Sequence, residues 1–219
     1  DVALTTRFEK EFGPTKTTAL DKSFRFNNQI SDLASTFVMK NPTQVKKSLT
    51  THDVVSEPAV SLMRKSLRTE QQSSALAEIL ASISARTNTA ATVYVLARFR
   101  FRLPTNSQLR ELQRQNPKLD LAAITLHGAK GKEADFVIVV GLDSGYYGFP
   151  STKETHPLLE ALLPPIESFP FAEERRLFYV ALTRARQRVY LLVDMSSASQ
   201  FPKELMQVGY QVELEEFTT

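Results

Sequence analysis

The sequence of 219 residues has no cysteine, which excludes a disulfide framework, a thiolate zinc site and a cysteine nucleophile. It also lacks a long apolar run. The longest, Phe136 to Leu142, falls far short of the roughly 20 residues that span a bilayer, so no membrane partner is expected. Nothing at the N-terminus resembles a secretory signal, and a cytoplasmic address is the expectation. A strong excess of one charge is lacking as well: Lys plus Arg outnumber Asp plus Glu by only 27 to 24, for a net +3. That balance permits a polyanionic partner without requiring one. The three histidines, His52, His127 and His156, are scattered and form no metal-ligand pattern. With 42% apolar and 23% charged residues, the composition is that of an ordinary globular chain, long enough to bury a substantial core.

Glycine is scarce, and its distribution is informative. Five of the seven glycines, Gly128, Gly131, Gly141, Gly145 and Gly148, fall between residues 128 and 148, where the backbone must bend sharply or approach a ligand. Around them, apolar periodicity predicts alternating helices and strands. Helices are expected over residues 1–12, 27–40, 70–85, 107–114, 172–185 and 200–208. Strands are expected over 17–20, 91–97, 121–126, 136–141 and 188–193, with a short extended stretch around Val54 in an otherwise polar excursion. The runs around ATVYVLA and FVIVVG are apolar on both faces, the mark of covered strands, with the second central. Continuous apolar strands separated by helices imply crossover connections, and so one α/β domain with a mostly parallel sheet. The first residue is Asp1 rather than methionine, so the chain is expected to be a fragment or a processed product.

Such sheets bind ligands beyond the carboxyl ends of their strands, which raises a nucleotide hypothesis. The phosphate-binding loop it calls for is missing. Gly13-Pro14-Thr15-Lys16-Thr17 has Thr15 in place of the glycine before the lysine. Gly131-Lys132 is followed by Glu133 where a hydroxyl must hold magnesium, and Leu126 stands where the first glycine belongs. Arginines remain. In EERRLFYVALTRAR, the spacing of Leu177, Val180, Ala181 and Arg184 puts Arg184 near the buried stripe at the helix's last turn, aimed at the edge of the core. A cation there would also suit the helix dipole. In Phe24-Arg25-Phe26 an arginine sits between aromatics in a strand-to-helix turn, where either a ligand contact or a surface cation–π contact would account for it. His127, just past a strand end, reads as a structural or a ligand-facing histidine.

Together TALDKSFRF, VYVLARFRF, AITLHGAKGKEADFVIVVGL and AEERRLFYVALTRARQRVYLL, in this order, resemble motifs IV, IVa, V and VI of the UvrD/Rep-type superfamily 1 DNA helicases. The likeness runs from about Val2 to Leu205, and the last two motifs are highly specific. It implies a RecA-like fold, a mostly parallel sheet with helices on both faces, spanning residues 1–219 as the second of two motor domains. The phosphate-loop domain would precede it, which accounts for the missing loop.

By this resemblance Arg25 and Arg184 reach the γ-phosphate of ATP, Phe24 stacks on adenine, and Glu133 of the turn containing Gly131 bonds the ribose. Mg2+ is held by the other motor domain. Arg98, Thr125 and His127 face single-stranded DNA, along which such motors move 3′ to 5′. The partners implied are therefore single-stranded DNA and the N-terminal motor domain of the same protein, and the isolated chain is expected to be inactive. Motif V would tie Glu133 to His127 through a rigid strand-to-helix turn. Three departures stand out: only about a dozen residues, roughly 113–123, occupy the place of a large accessory domain, Lys132 replaces an apolar residue, and Ala181 replaces a common glycine. A non-catalytic nucleic-acid-binding or scaffold module derived from a helicase is the alternative, with an unrelated phosphate-binding α/β protein ranked behind it.

Overall fold

The computed structural model describes residues 8–16, 18, 20–45, 49–64, 69–153 and 168–216. In chain order the elements are α1 (Phe8–Phe12), β1 (Lys22–Ser23), α2 (Asn28–Met39), β2 (Thr50–Thr51), β3 (Val60–Arg64) and α3 (Thr69–Arg86). These are followed by β4 (Ala91–Ala97), a 3-10 turn (Arg100–Arg102), α4 (Asn106–Gln115), β5 (Leu119–Thr125), β6 (Ala134–Val140), α5 (Ala172–Leu182), β7 (Ala185–Val193), α6 (Gln200–Leu205) and β8 (Glu213–Glu216).

Side chains alternate across a strand, and in β6 both faces are apolar, so two cores form. Val137 and Val139 face one cluster, which contains Ile30, Leu33 and Phe37 of α2 and Phe178 of α5. Phe136, Ile138 and Val140 face the other, with Leu76, Ile79, Leu80 and Ile83 of α3 and Leu112 of α4. Six strands lie in the order β5-β4-β6-β7-β3-β8, all neighbours parallel, with β6 in the interior as expected. The fold is α/β and RecA-like, with helices on both faces of the sheet.

The predicted strands over 91–97, 121–126, 136–141 and 188–193 and the helices over 27–40, 70–85 and 107–114 all appear with small boundary shifts. Other expectations need correction. The strand expected over 17–20 is replaced by β1; Thr18 and Leu20 are irregular, and Thr17 and Ala19 lie outside the described residues. The extended pair is Thr50–Thr51 rather than the stretch at Val54, because β1 and β2 pair with each other and Val54 is left 76% exposed. Strand β3 escaped prediction: Ser61 interrupts its short apolar run, yet it pairs with both β7 and β8 and is buried. The last predicted helix stops at Leu205 instead of Val208. Only residues 116–118 join α4 to β5, so no accessory domain stands between those two elements. Of the helix expected over 1–12, only Phe8–Phe12 lies within the described residues, as does neither His156 nor its surroundings.

One buried ion pair pins the helices to each other. Arg175 of α5, 6% exposed, donates two hydrogen bonds to Glu204 of α6 at 2.9 and 2.7 Å, and a third to the Phe37 carbonyl of α2 at 2.9 Å. Its guanidinium lies 4.1 Å from the Phe37 ring centroid and 5.4 Å from that of Phe201. Lys40 and Tyr210 also bind Glu204. Burial alone would raise the Glu204 pKa, but the hydrogen bonds from Arg175, Tyr210 and Lys40 prevail and hold it below the usual carboxylate range. Removing one partner of such a pair strands a buried charge, so Arg175→Leu is expected to cost about 3–5 kcal/mol in urea unfolding. Because the folded pKa is depressed, the stabilisation is complete above the unfolded value of roughly 4.3 and is lost as pH falls through the folded one. The melting temperature of the parent should therefore drop more steeply in acid than that of Glu204→Gln.

Candidate functional site

Three chain segments meet at the amino-terminal ends of β6 and β7. Asn27 caps α2, its side-chain oxygen accepting from the Ile30 N–H at 3.1 Å, while its amide donates to the Gln187 carbonyl of β7 at 2.9 Å. This docks the start of α2, and with it Arg25, beside the start of β7. The Ala134 N–H donates to the Arg184 carbonyl at 3.0 Å, opening the β6–β7 ladder and setting Glu133 beside Arg184. Arg25 Nε lies 3.0 Å from Glu133 and Arg186 3.2 Å from the same carboxylate. Arg184, 7% exposed, donates from Nε to the Val180 carbonyl at 3.1 Å and from a terminal nitrogen to the Lys132 carbonyl at 3.0 Å, which fixes the plane of its guanidinium. Burial, then the like charge of Arg25, lowers the Arg184 pKa, while Glu133 and Tyr179 oppose the shift.

Two guanidiniums thus bond one carboxylate, with that of Arg184 held on the carbonyl of the preceding residue, Lys132, beside the positive end of the α2 dipole, an arrangement suited to a polyanion. A depression of about 410 Å3, lined by Asn27, Asp53, Pro58, Arg186 and Tyr190 among others, opens next to them.

Phe24, Arg25, Glu133, Gly131 and Arg184 come from separate parts of the sequence, and the fold gathers Arg25, Glu133 and Arg184 into this one cluster. Phe24 is 67% exposed and rests on His52 at 5.0 Å between centroids, with Lys22 Nζ 5.4 Å from its ring. The cation–π reading of the Phe24-Arg25-Phe26 turn therefore involves Lys22; Arg25 is committed to Glu133, and Phe26 is buried. Gly131 has φ +81°, in the left-handed region, in the turn before Glu133, and a Cβ there would meet nothing. Neither Arg186 nor His52 was singled out as a site residue in the sequence. Arg186 falls in a basic run without distinguishing spacing, and the β1–β2 pairing that sets His52 against Phe24 left no periodic signal.

Two expectations about this cluster change. Helix α5 ends at Leu182, so Arg184 lies in the turn to β7 rather than in the helix, although its bond to the Val180 carbonyl still neutralises that helix end. The arginines also occupy the amino-terminal edge of the sheet, opposite to the carboxyl edge anticipated for a ligand.

The second group of residues lies at that carboxyl edge. Ala97 of β4 is level with Thr125 of β5 and Val140 of β6, so Arg98 and His127 leave adjacent strands at the same end. Arg98 Nε is held by both carboxylate oxygens of Glu174, at 2.8 and 3.1 Å. His127 is exposed, which removes the reading of a buried structural histidine. Thr125 Oγ1 accepts from the Gly128 N–H at 3.3 Å and braces the turn. Residues 126–133 then run the length of the sheet to Glu133. They do so through successive turns anchored by buried Leu126 and Ala129, not through the strand-to-helix turn expected.

Residues 101–196 match the UvrD-like helicase C-terminal domain family. The chain is 38% identical over 211 residues to DNA helicase IV of Escherichia coli K12, covering 96% of this chain and 29% of that protein. A 68-residue stretch is 44% identical to the ATP-dependent DNA helicase UvrD1 of Mycobacterium tuberculosis H37Rv, covering 31% of this chain and 7% of that protein. Among solved structures, the C-terminal domain of a possible DNA helicase from Lactobacillus plantarum WCFS1 superposes with a TM-score of 0.52 at 16% identity, over 88% of this chain and 98% of that one, a likeness of fold.

The buried cap and the exposed arginine of this edge should separate in stability. Asn27→Ala is expected to cost about 0.5–2 kcal/mol in urea unfolding. Arg25→Ala, at a side chain 57% exposed, should stay within about 0.5 kcal/mol of the parent. A large loss at Arg25 would mean that it serves the fold.

Proposed function

We propose that this chain, whose residues 101–196 match the UvrD-like helicase C-terminal domain, is the second motor domain of an ATP-dependent DNA helicase. Its role is to supply guanidiniums to a triphosphate held by the N-terminal motor domain of the same protein. The observation that carries this reading is that Glu133, bonded to Arg25, directly follows Lys132, whose carbonyl holds the Arg184 guanidinium.

The residues present fit ATP. Glu133 orients Arg25 and Arg186 and is itself suited to accept a hydrogen bond from a ribose hydroxyl. Arg184, fixed by two backbone carbonyls, presents its guanidinium without having to reorganise. The exposed Phe24 ring offers a face for adenine. Phosphoryl transfer is catalysed chiefly by positioning and by neutralising charge on the γ-phosphate, and Mg2+ would be held by the other motor domain. Arginines brought from a separate body make hydrolysis conditional on closure of the two domains. At the opposite edge Arg98, Thr125 and His127 would grip the backbone of single-stranded DNA, without sequence preference. Movement from 3′ to 5′ follows the family resemblance.

In the full-length protein, Arg184→Ala should lower DNA-stimulated ATP turnover by about a hundredfold or more while leaving ATP binding in place. Turnover within a few fold of the parent would remove the finger role. For the DNA edge, titrations at several salt concentrations give a slope of log affinity against log salt. Arg98→Ala should make that slope shallower by about 0.7 if the residue makes one phosphate contact. An unchanged slope would place Arg98 outside the interface.

A further inference from the structure

The two carboxylate oxygens of Glu133 are taken by different arginines. Arg25 Nε lies 3.0 Å from Oε1, and a terminal nitrogen of Arg186 donates to Oε2 at 3.2 Å. The two arginines stand on different supports: Arg25 lies in the turn before α2, and Arg186 at the start of β7. If Arg25 turns from Glu133 to a phosphate, Oε1 loses its partner while Oε2 keeps its own. The carboxylate then has one oxygen fixed and the other open to a new donor.

The backbone explains why Arg186 reaches Glu133. Ala134 of β6 is level with Ala185 of β7 and Phe136 with Arg188, so Arg186 and Gln187 together face the single residue Asp135. A bulge of this kind re-aims the side chains it carries. Asp135 would be the natural carboxylate for Arg186, but its Oδ2 is committed to β4, accepting from the Thr92 N–H and the Thr92 hydroxyl, each at 2.9 Å. Asn27, 3% exposed, holds the bulge in place: its amide donates to the Gln187 carbonyl at 2.9 Å and to the Arg186 carbonyl at 3.4 Å. A buried side chain two residues from Arg25 therefore fixes the point at which Arg186 leaves the strand. The Arg186 side chain itself is 57% exposed, and a pair so open to water contributes little to folding. What it does contribute is a direction for the Glu133 carboxylate.

We infer that Arg186 is a positioning residue for the nucleotide sugar: by holding Oε2 of Glu133 it keeps Oε1 turned to a ribose hydroxyl once Arg25 has moved to the phosphates. This role rests on the ribose reading of Glu133 above and adds to it the residue that makes the carboxylate selective. A carboxylate already oriented by a charge-assisted hydrogen bond loses less freedom when it accepts the hydroxyl. The test is DNA-stimulated turnover of ATP, 2′-deoxy-ATP and 3′-deoxy-ATP by the full-length protein. The parent should favour ATP over one of the two deoxynucleotides by about tenfold in kcat/KM, the lower end for a hydrogen bond to a charged group. Arg186→Ala should shrink that preference to within about twofold, through a higher KM for ATP and not through kcat, the pattern of a contact made equally in the ground and transition states. Arg186→Lys, which returns a cationic donor, should restore most of it. A preference that survives Arg186→Ala overturns the positioning role and leaves the ribose contact of Glu133 standing. An equal fall in the turnover of all three nucleotides also overturns it, since a merely structural arginine would give that result. A parent that treats the three alike, or turns over none, overturns the ribose reading and the role of Arg186 with it. Where Arg186→Ala fails to fold, Arg186→Met, which keeps the stem without the donor, gives the same comparison.

Discussion

Parallel pairing is the constraint on which this molecule depends. When every strand of a sheet runs the same way, all strand beginnings lie along one edge and all strand ends along the other. The pairing of β6 with β7, opened by the bond from Ala134 to Arg184, therefore assigns Glu133, Arg184 and Arg186 to one edge. The pairing of β4 with β5 and β6 assigns Arg98 and His127 to the other. The arginine cluster and the pair Arg98 and His127 are held apart by the length of the sheet. Residues 126–133 are the one stretch that joins His127 to Glu133 directly, and buried Leu126 and Ala129 keep it from slackening. A displacement at one end of that stretch is felt at the other because the interior it is packed into is dense.

The arginines show how burial and partners divide roles within one motif. Arg175 and Arg184 lie nine positions apart in the same sequence block. Arg175 is surrounded by Phe37, Phe169 and Phe201 and bonded to Glu204, so its charge is spent inside the protein. Arg184 is equally hidden by area, but its partners are neutral carbonyls and its charged neighbours are Arg25 and Glu133 at the edge. A guanidinium oriented by carbonyls keeps its charge for something else. Helix amphipathicity alone does not separate the two, since both fall beside apolar positions of EERRLFYVALTRAR.

The doubly apolar strands were legible in the sequence because burial on both faces leaves a continuous run, as in ATVYVLA and ADFVIVV. Strand β3 was not, because Ser61 bonds to Arg188 and Glu213 within the sheet and so sits in the interior as a polar residue that breaks the pattern. The pair β1–β2 left no trace for a different reason: two residues on each side carry no period. At the site, Arg184 was readable from helix spacing and Arg25 from its place between aromatics in a turn, whereas Glu133 came only through the family resemblance. Arg186 depended on strand register, and the contact of Phe24 with His52 on a pairing 28 residues apart in the chain. The edge of the sheet on which the arginines sit was also beyond reach, since a turn sequence does not say where along a strand its neighbour begins.

The convergence of guanidiniums on one anion is most directly tested by following the arginine Nε–Hε resonances of this chain by NMR while inorganic tripolyphosphate is added at constant ionic strength. The expected result is that Arg25, Arg184 and Arg186 shift together along one binding curve while Arg175, locked to Glu204, stays in place. Shifts confined to other arginines, or three unrelated curves for Arg25, Arg184 and Arg186, would contradict a shared triphosphate site.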